Sequence, residues 1–190
     1  EISCSLVGSE MCIRDRFVCI SLGIGSHWYY MRQVPLSDPL DYVVSADNGQ
    51  RASVVLPDGT KVWLNSHTKL NYKSDYGVKE RSVSLSGEAY FEVVQDESHP
   101  FVVQTHLGEV MVLGTAFNVN AYTNASVCYT TLVRGKVQFS APNVGTVTLQ
   151  PGEQAVVSAN GTEKRTVDLD EYIGWVNGVY NFCLLYTSDA

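Results

Sequence analysis

From Arg51 to Phe182 the chain keeps a two-residue rhythm of apolar and polar positions. Ala52, Val54 and Leu56 share one face, the run breaks at Pro57-Asp58-Gly59-Thr60, and Val62 and Leu64 resume it. Proline presets φ, aspartate closes a turn with its own carboxylate and glycine accepts positive φ, so this quartet predicts a tight hairpin. Downstream, Val83 and Leu85 alternate with Ser82, Ser84 and Ser86, while Ala89, Phe91 and Val93 alternate with Glu88, Tyr90 and Glu92. Phe117, Val119 and Ala121 alternate with Asn118 and Asn120; Val137 with Phe139, and Val147 with Leu149, complete the series. Each segment reads as a strand with one wet face, which favours antiparallel pairing. Glycines at 87, 108, 114, 135, 145, 152 and 161 recur at strand-plus-turn spacing, and no helical period interrupts them. The fold class is therefore all-β, built of antiparallel hairpins in a sandwich or a twisted, solenoid-like arrangement; the order of segments leaves both open.

The rhythm stops at both ends. Residues 17–31, FVCISLGIGSHWYYM, are mostly apolar and close on Trp28, Tyr29 and Tyr30 before Arg32. A spanning helix needs about 20 apolar residues, so the segment is short for one. An aromatic trio followed by a cation is nevertheless what the outer interface of a membrane helix shows. The reading is a partial, truncated transmembrane helix, with a buried strand or the apolar core of a signal peptide as alternatives; no small-residue cleavage site follows. Pro35 and Pro39, with Asp38, Asp41 and Asp47, mark residues 32–50 as a solvated linker. SLVGSEMCIRDR (5–16) and CLLYTSDA (183–190) resemble translated sequencing-adapter sequence. Residues 1–16 and 183–190 are accordingly read as non-native tails and set aside from fold reasoning.

Composition narrows the chemistry. A chain of 190 residues, 45% hydrophobic, can bury a core of ordinary domain size and is not a disordered one. Its net charge is -7 with lysines and arginines scattered, so the basic footprint of a nucleic-acid binder is missing and no nucleic-acid partner is expected. Cys4, Cys12 and Cys19 crowd the start and Cys183 the end. Cys128 is left alone in the folded stretch, where it reads as a small strand residue, buried or half-buried. His27, His67, His99 and His106 lie far apart, none with a second ligand at metal-binding spacing on a strand face, so neither metal nor cofactor is expected.

Glu88 and Glu92 share a strand face, a geometry open to acid–base work, but a solvated outer face opposite Ala89, Phe91 and Val93 accounts for them. No G-x-S-x-G elbow precedes a helix, so no catalytic residue is assigned and the chain is read as a non-enzyme. Trp63, Tyr72, Tyr76 and Tyr90 remain as aromatics that either anchor a recognition surface or pack structurally. Trp63, opposite Val62 and Leu64, is either exposed or covered by a loop. No residue is assigned to protein binding.

Five phrases occur in a fixed order: LPDGTKVWLN (56–65), GEAYFEV (87–93), VLGTAFNV (112–119), LVRGKV (132–137) and PGEQA (151–155). Together they resemble the periplasmic domain of the FecR family, and the resemblance covers roughly two thirds of the chain. It implies a membrane-anchored anti-sigma regulator, single-pass in the inner membrane, with a FecR-like β domain over 51–170 in the periplasm and a solenoid-like stack. It also implies that Gly174-Trp175-Val176-Asn177-Gly178, with Phe182, opens a truncated second signalling module over 171–182. In such proteins a cytoplasmic segment, missing here, holds an ECF-type sigma factor. The periplasmic part, through that second module, meets the signalling domain of an outer-membrane TonB-dependent receptor. Receptor occupancy is relayed inward by differential affinity between two states, and an exposed strand edge offers one means of contact. One departure is Arg134, which stands where the family more often has an acidic residue before Gly-Lys-Val.

Two other classes fit the pattern. A carbohydrate-binding or other envelope β domain would suit exposed tyrosines, and a β-sheet hydrolase would require perturbed carboxylates or histidines converging in a pocket.

Overall fold

The computed structural model describes residues 20, 22–29, 40–78, 80–142 and 145–178. They belong to two units, of which the first, Glu1–Pro39, contributes a helix over residues 22–29 with exposed side chains. No helix among the described residues is long and apolar enough to cross a membrane. The tails at 1–16 and 183–190, with Cys4, Cys12 and Cys183, lie outside the described residues, as do Cys19 and residues 32–39 of the linker.

The second unit, Leu40–Ala190, is a β body. Its strands are β1 (Asp41–Ala46), β2 (Ala52–Val55), β3 (Lys61–Leu64), β4 (Thr68–Lys73), the long β5 (Arg81–Glu92), β6 (Phe101–Gln104), β7 (Glu109–Val112), β8 (Ala116–Ala121), β9 (Val127–Arg134), β10 (Val137–Ala141), β11 (Gly145–Leu149), β12 (Glu153–Ser158) and β13 (Gly161–Thr166). The ladders form two sheets that share β5. Sheet A runs β1-β4-β5-β6-β7-β10-β11 and sheet B runs β2-β3-β5-β8-β9-β12-β13. Successive hairpins alternate between them: β2–β3 joins sheet B, β6–β7 sheet A, β8–β9 sheet B, β10–β11 sheet A and β12–β13 sheet B. The stack of hairpins and the sandwich are thus two descriptions of one all-β object.

Two expectations change. Asp41–Ala46, inside the linker read over 32–50, is strand β1, paired with β4 from Asp41↔Lys73 to Ala46↔Thr68. Val44 and Ala46 pack on the core, which outweighs the solvated aspartates at 41 and 47. The pairing is also not antiparallel throughout, because β5 and β6 run parallel from Arg81↔Phe101 to Ser84↔Gln104. Parallel neighbours need a long crossover. Here residues 85–100 supply it, since the second half of β5 lies in sheet B and carries the chain away before it re-enters sheet A.

β5 turns this corner at Gly87. Residues up to Ser86 pair with β4, and those from Gly87 onward pair with β8. Gly87 has φ +122°, and a Cβ there would sit 2.7 Å from the Cα of Thr68. Thr68, fully buried, accepts the amide of Glu88 on its hydroxyl at 2.9 Å and so pins the corner. A straight twelve-residue strand would span about 40 Å. Instead the guanidinium of Arg81, at the start of β5, reaches the carbonyl of Val94, just past its end, at 3.0 Å.

The core fills the folded strand. Phe91 of β5 stacks on Phe117 of β8 at 5.1 Å between ring centroids and lies 5.8 Å from Phe101 of β6, so one aromatic trio joins the two sheets. Each ring is fully buried, a contribution of about 2–3 kcal/mol apiece. Cys128 is buried in the same core as a strand residue, and desolvation pushes its thiol up to about 12.

Two tests follow from this packing. Gly87→Ala adds both a disfavoured φ and an overlap with Thr68, and should lower unfolding free energy by about 3 kcal/mol in urea titration. Cys128 tests burial through pH. The unfolded thiol releases its proton near its ordinary value of 9.0 while the native one holds it to about 12, so the unfolded state binds fewer protons as pH rises. Its contribution is complete below pH 9 and is lost above it, at about 1.4 kcal/mol per pH unit. Stability measured from pH 9 to 10 should therefore fall less steeply in Cys128→Ala than in the wild type, and the native thiol should resist iodoacetamide.

Candidate functional site

The outward face of sheet B carries one row of side chains across its strands. The ladders place Trp63 beside Tyr90, Tyr90 beside Asn118, Asn118 beside Thr131, Thr131 beside Gln154 and Gln154 beside Arg165. This face is not wet: Tyr90 is 8% exposed, Asn118 2%, Thr131 1% and Gln154 0%. The polar end satisfies itself. Gln154 donates to the Thr131 hydroxyl at 2.7 Å, and Arg165 donates from Nε and Nη2 to Gln154 Oε1 at 2.9 and 2.7 Å.

What covers the aromatic end of the row is the segment after β13. Asp168 caps a short helix, Leu169–Ile173, by accepting the Asp170 amide at 3.0 Å, and a 3₁₀ turn, Gly174–Asn177, follows. Trp175 lies over the aromatic end of the row with Tyr90 and Ala116, flanked by Trp63, Val133, Ile173 and Val176. Trp63 and Tyr90 meet at 5.6 Å. Arg51, from the loop before β2, donates to the Trp175 carbonyl at 2.7 Å and sets its guanidinium 5.6 Å from the indole centroid. The described part of 171–182 is therefore packed on the β body, and residues 179–182 lie outside the described residues.

These contacts settle the aromatic positions. Trp63 is covered, by the C-terminal segment. Tyr90, expected on a wet face, is buried because that segment supplies a second apolar layer that a two-residue rhythm does not reveal. Tyr76 is buried against Phe101 at 6.4 Å, and Tyr72 is half-buried between Tyr42 and Tyr76. Glu88, expected to be solvated, is half-buried and accepts from Asn65 at 2.7 Å and from Asn118 at 2.9 Å. Glu92 is exposed as expected. The two carboxylates that share a face thus differ in surroundings, and no acid–base pair forms.

A densely bonded charge that the sequence did not mark is Arg81. Only 3% exposed, it pairs with Asp58 at 3.2 Å and donates to the carbonyls of His99 at 2.7 Å, Val94 at 3.0 Å and Asp96 at 3.3 Å. Asp58, in the β2–β3 turn, also accepts from the Thr60 amide and hydroxyl and from the Tyr76 hydroxyl. Burial, and then the Asp58 carboxylate beside it, push the Tyr76 phenol well above its ordinary range. Arg81 shares the inward face of Val83 and Leu85, so a cation at an inward position was the available signal.

The loop after β5 holds Asp96, Ser98 and His99 together. Ser98 donates from its amide and hydroxyl to Asp96 Oδ1, and His99 Nδ1 lies 3.0 Å from Asp96 Oδ2. The Ser98 hydroxyl first, and His99 next, hold the Asp96 carboxyl well below the usual range. A relay from acid through imidazole to hydroxyl needs opposite ring nitrogens. Here both neighbours meet Nδ1, so the cluster caps an exposed loop. His67, in a turn at φ +55°, and His106, whose Nε2 lies 3.2 Å from the Ala125 carbonyl, stand apart from it. Among the described residues no three His, Cys, Asp or Glu side chains are grouped to hold a metal ion.

Several exposed surface features are apolar. Tyr42 and Val43 are 49% and 61% exposed on β1, whose ladder partner is β4, at one margin of sheet A. Val94, Met111 and Leu113 are also exposed, the last two lining a shallow groove of about 310 Å³ with Gln95 and Lys136.

The model of the FecR protein family matches residues 42–138. The chain belongs to the FecR family. Two crystal structures of a candidate anti-sigma factor from Parabacteroides distasonis resemble this FecR domain. One, at 2.50 Å resolution, has TM-score 0.69 and 36% identity over 73% of this chain and 66% of its own. The other, at 1.65 Å, has TM-score 0.68 and 36% identity over 72% of this chain and 65% of its own. The FecR chain thus spans just under two thirds of the length of these relatives. No curated protein matches it.

The five FecR phrases fall on corners of the fold. LPDGTKVWLN contains the Asp58 turn, GEAYFEV begins at the Gly87 bend, VLGTAFNV joins β7 to β8, LVRGKV joins β9 to β10, and PGEQA opens β12. Arg134 is exposed at the β9 end. Arg81→Ala removes the cation that faces Asp58 and the side-chain donor of three carbonyls, and should cost about 3–5 kcal/mol, read by chemical denaturation. Exchange at residues 94–99 should rise in parallel.

Proposed function

We propose that this FecR domain is the periplasmic part of a single-pass inner-membrane anti-sigma regulator. It relays a signal from an outer-membrane TonB-dependent receptor to an ECF-type sigma factor by contact, without altering bonds. The observation that carries this reading is the FecR match over 42–138, with the likeness to an anti-sigma factor at 36% identity. The described chemistry agrees with it. Arg81, Asp58, Glu88 and Gln154 are each committed to bonds within the fold, and Asp96 and His99 to a loop cap. The helix over 22–29 agrees with a membrane segment preceding the domain, though by itself it is too short to span one.

A relay needs only a difference in affinity between two states of the domain. The exposed apolar margins at β1 and around Met111 and Leu113 are available for such contacts. The carbohydrate reading loses its support, since Tyr76 and Tyr90 are buried and Tyr72 is half-covered.

The test is direct binding. The periplasmic region of the parent gene product, containing this FecR domain, should form a complex with the signalling domain of the TonB-dependent receptor encoded beside it. Pull-down followed by calorimetry should give a dissociation constant in the micromolar range or tighter. Silence at roughly 100 μM would remove the relay.

A further inference from the structure

The geometry points to a releasable strap: residues 169–177 exchange between the docked position on sheet B and a detached one, with the Arg51 contact setting the balance. Four observations carry this.

First, the docked segment is lightly held. The helix Leu169–Ile173 has no buried residue, and its contribution with the 3₁₀ turn to the apolar layer is Ile173, Trp175 and Val176. Second, the docked segment holds the indole N–H of Trp175 buried without a partner. That donor has lost water without gaining a bond, which works against the closed state.

Third, the floor beneath does not need the strap. Tyr90, Asn118 and Thr131 are held in central ladders, and Asn118 and Gln154 bond to Glu88 and Thr131 of the same sheet. Release therefore uncovers the aromatic end of the row without undoing sheet B. Fourth, the ties are made by side chains from elsewhere in the body. Past Val167, whose amide donates to Gly152 at 3.0 Å, Arg165 donates to the Tyr172 hydroxyl at 3.2 Å and Arg51 to the Trp175 carbonyl at 2.7 Å. Arg51 is exposed and lies outside the strands, in the loop before β2.

A pull on the chain beyond Gly178 is thus felt by the strap before it is felt by either sheet. Its use in signalling rests on the relay reading, whereas the docked–released balance is a property of this chain alone.

Hydrogen exchange followed by mass spectrometry on the whole chain tests it. The amides of Gly174 and Gly178, which bond within the strap, should exchange at least roughly a hundredfold faster than those of β5 and β8. Arg51→Ala should accelerate the strap roughly tenfold further and leave β5 and β8 unchanged, with Arg51→Lys falling between. A single common rate for strap and sheet B in the wild type, or a strap indifferent to Arg51→Ala, would overturn the proposal. Failure of receptor binding would leave this result standing, and a common exchange rate would remove the strap even where the receptor binds.

Discussion

The fold depends on one strand doubling back. β5 serves sheet A with its first half and sheet B with its second, and this is possible because Gly87 adopts φ +122° hard against Thr68. The open side opposite that corner is closed by Arg81, which gathers the β2–β3 turn and the post-β5 loop through Asp58 and three backbone carbonyls. A buried cation is costly unless nearly all of its donors are used. Here they are, so the charge works as a bracket across the sandwich. Phe91, Phe101 and Phe117 then meet in the space between, and their burial supplies the non-directional part of the stability.

The outward face of sheet B shows how packing leads to function. Antiparallel sheets commonly leave one face to water, but this one is roofed at its aromatic end by Trp175 and self-bonded at its polar end through Gln154 and Arg165. With the inner face filled and the outer face occupied, the described domain retains margins, loops and a thin covering segment as its means of meeting other molecules. That distribution suits a protein that acts by touching others.

Much of the body was legible in the chain because inward residues at every second position report burial directly. Val62, Leu64, Phe91, Phe117, Val137 and Phe139 all face the core, and Cys128 joins them. The Asp58 turn followed from its residue types. What escaped had non-local causes. Tyr90 read as wet because a strand pattern records one neighbour layer, and the second layer comes from residues 169–177, far along the chain; Glu88 read as wet because its partners Asn65 and Asn118 come from other strands and loops. The parallel β5–β6 ladder was hidden because one unbroken alternation conceals a change of sheet at Gly87. β1 was masked by nearby proline and aspartate, whose local preferences lost to pairing with β4. The family phrases pointed to corners, and the physical reason is that corners, unlike strand interiors, tolerate few residue types.

The alternation of hairpins between the sheets has an architectural consequence. Each hairpin from β8–β9 onward settles beside the one laid down two steps earlier or its neighbour, so β11 ends one sheet and β13 the other. An inserted pair of strands following β13 would land next to β11 without rerouting anything already placed. The exposed Glu163, Lys164 and Arg165 on β13 meanwhile discourage accidental extension by a stranger. Such a body can lengthen or shorten by whole steps during divergence while its cross-section, set by the corner in β5, stays the same.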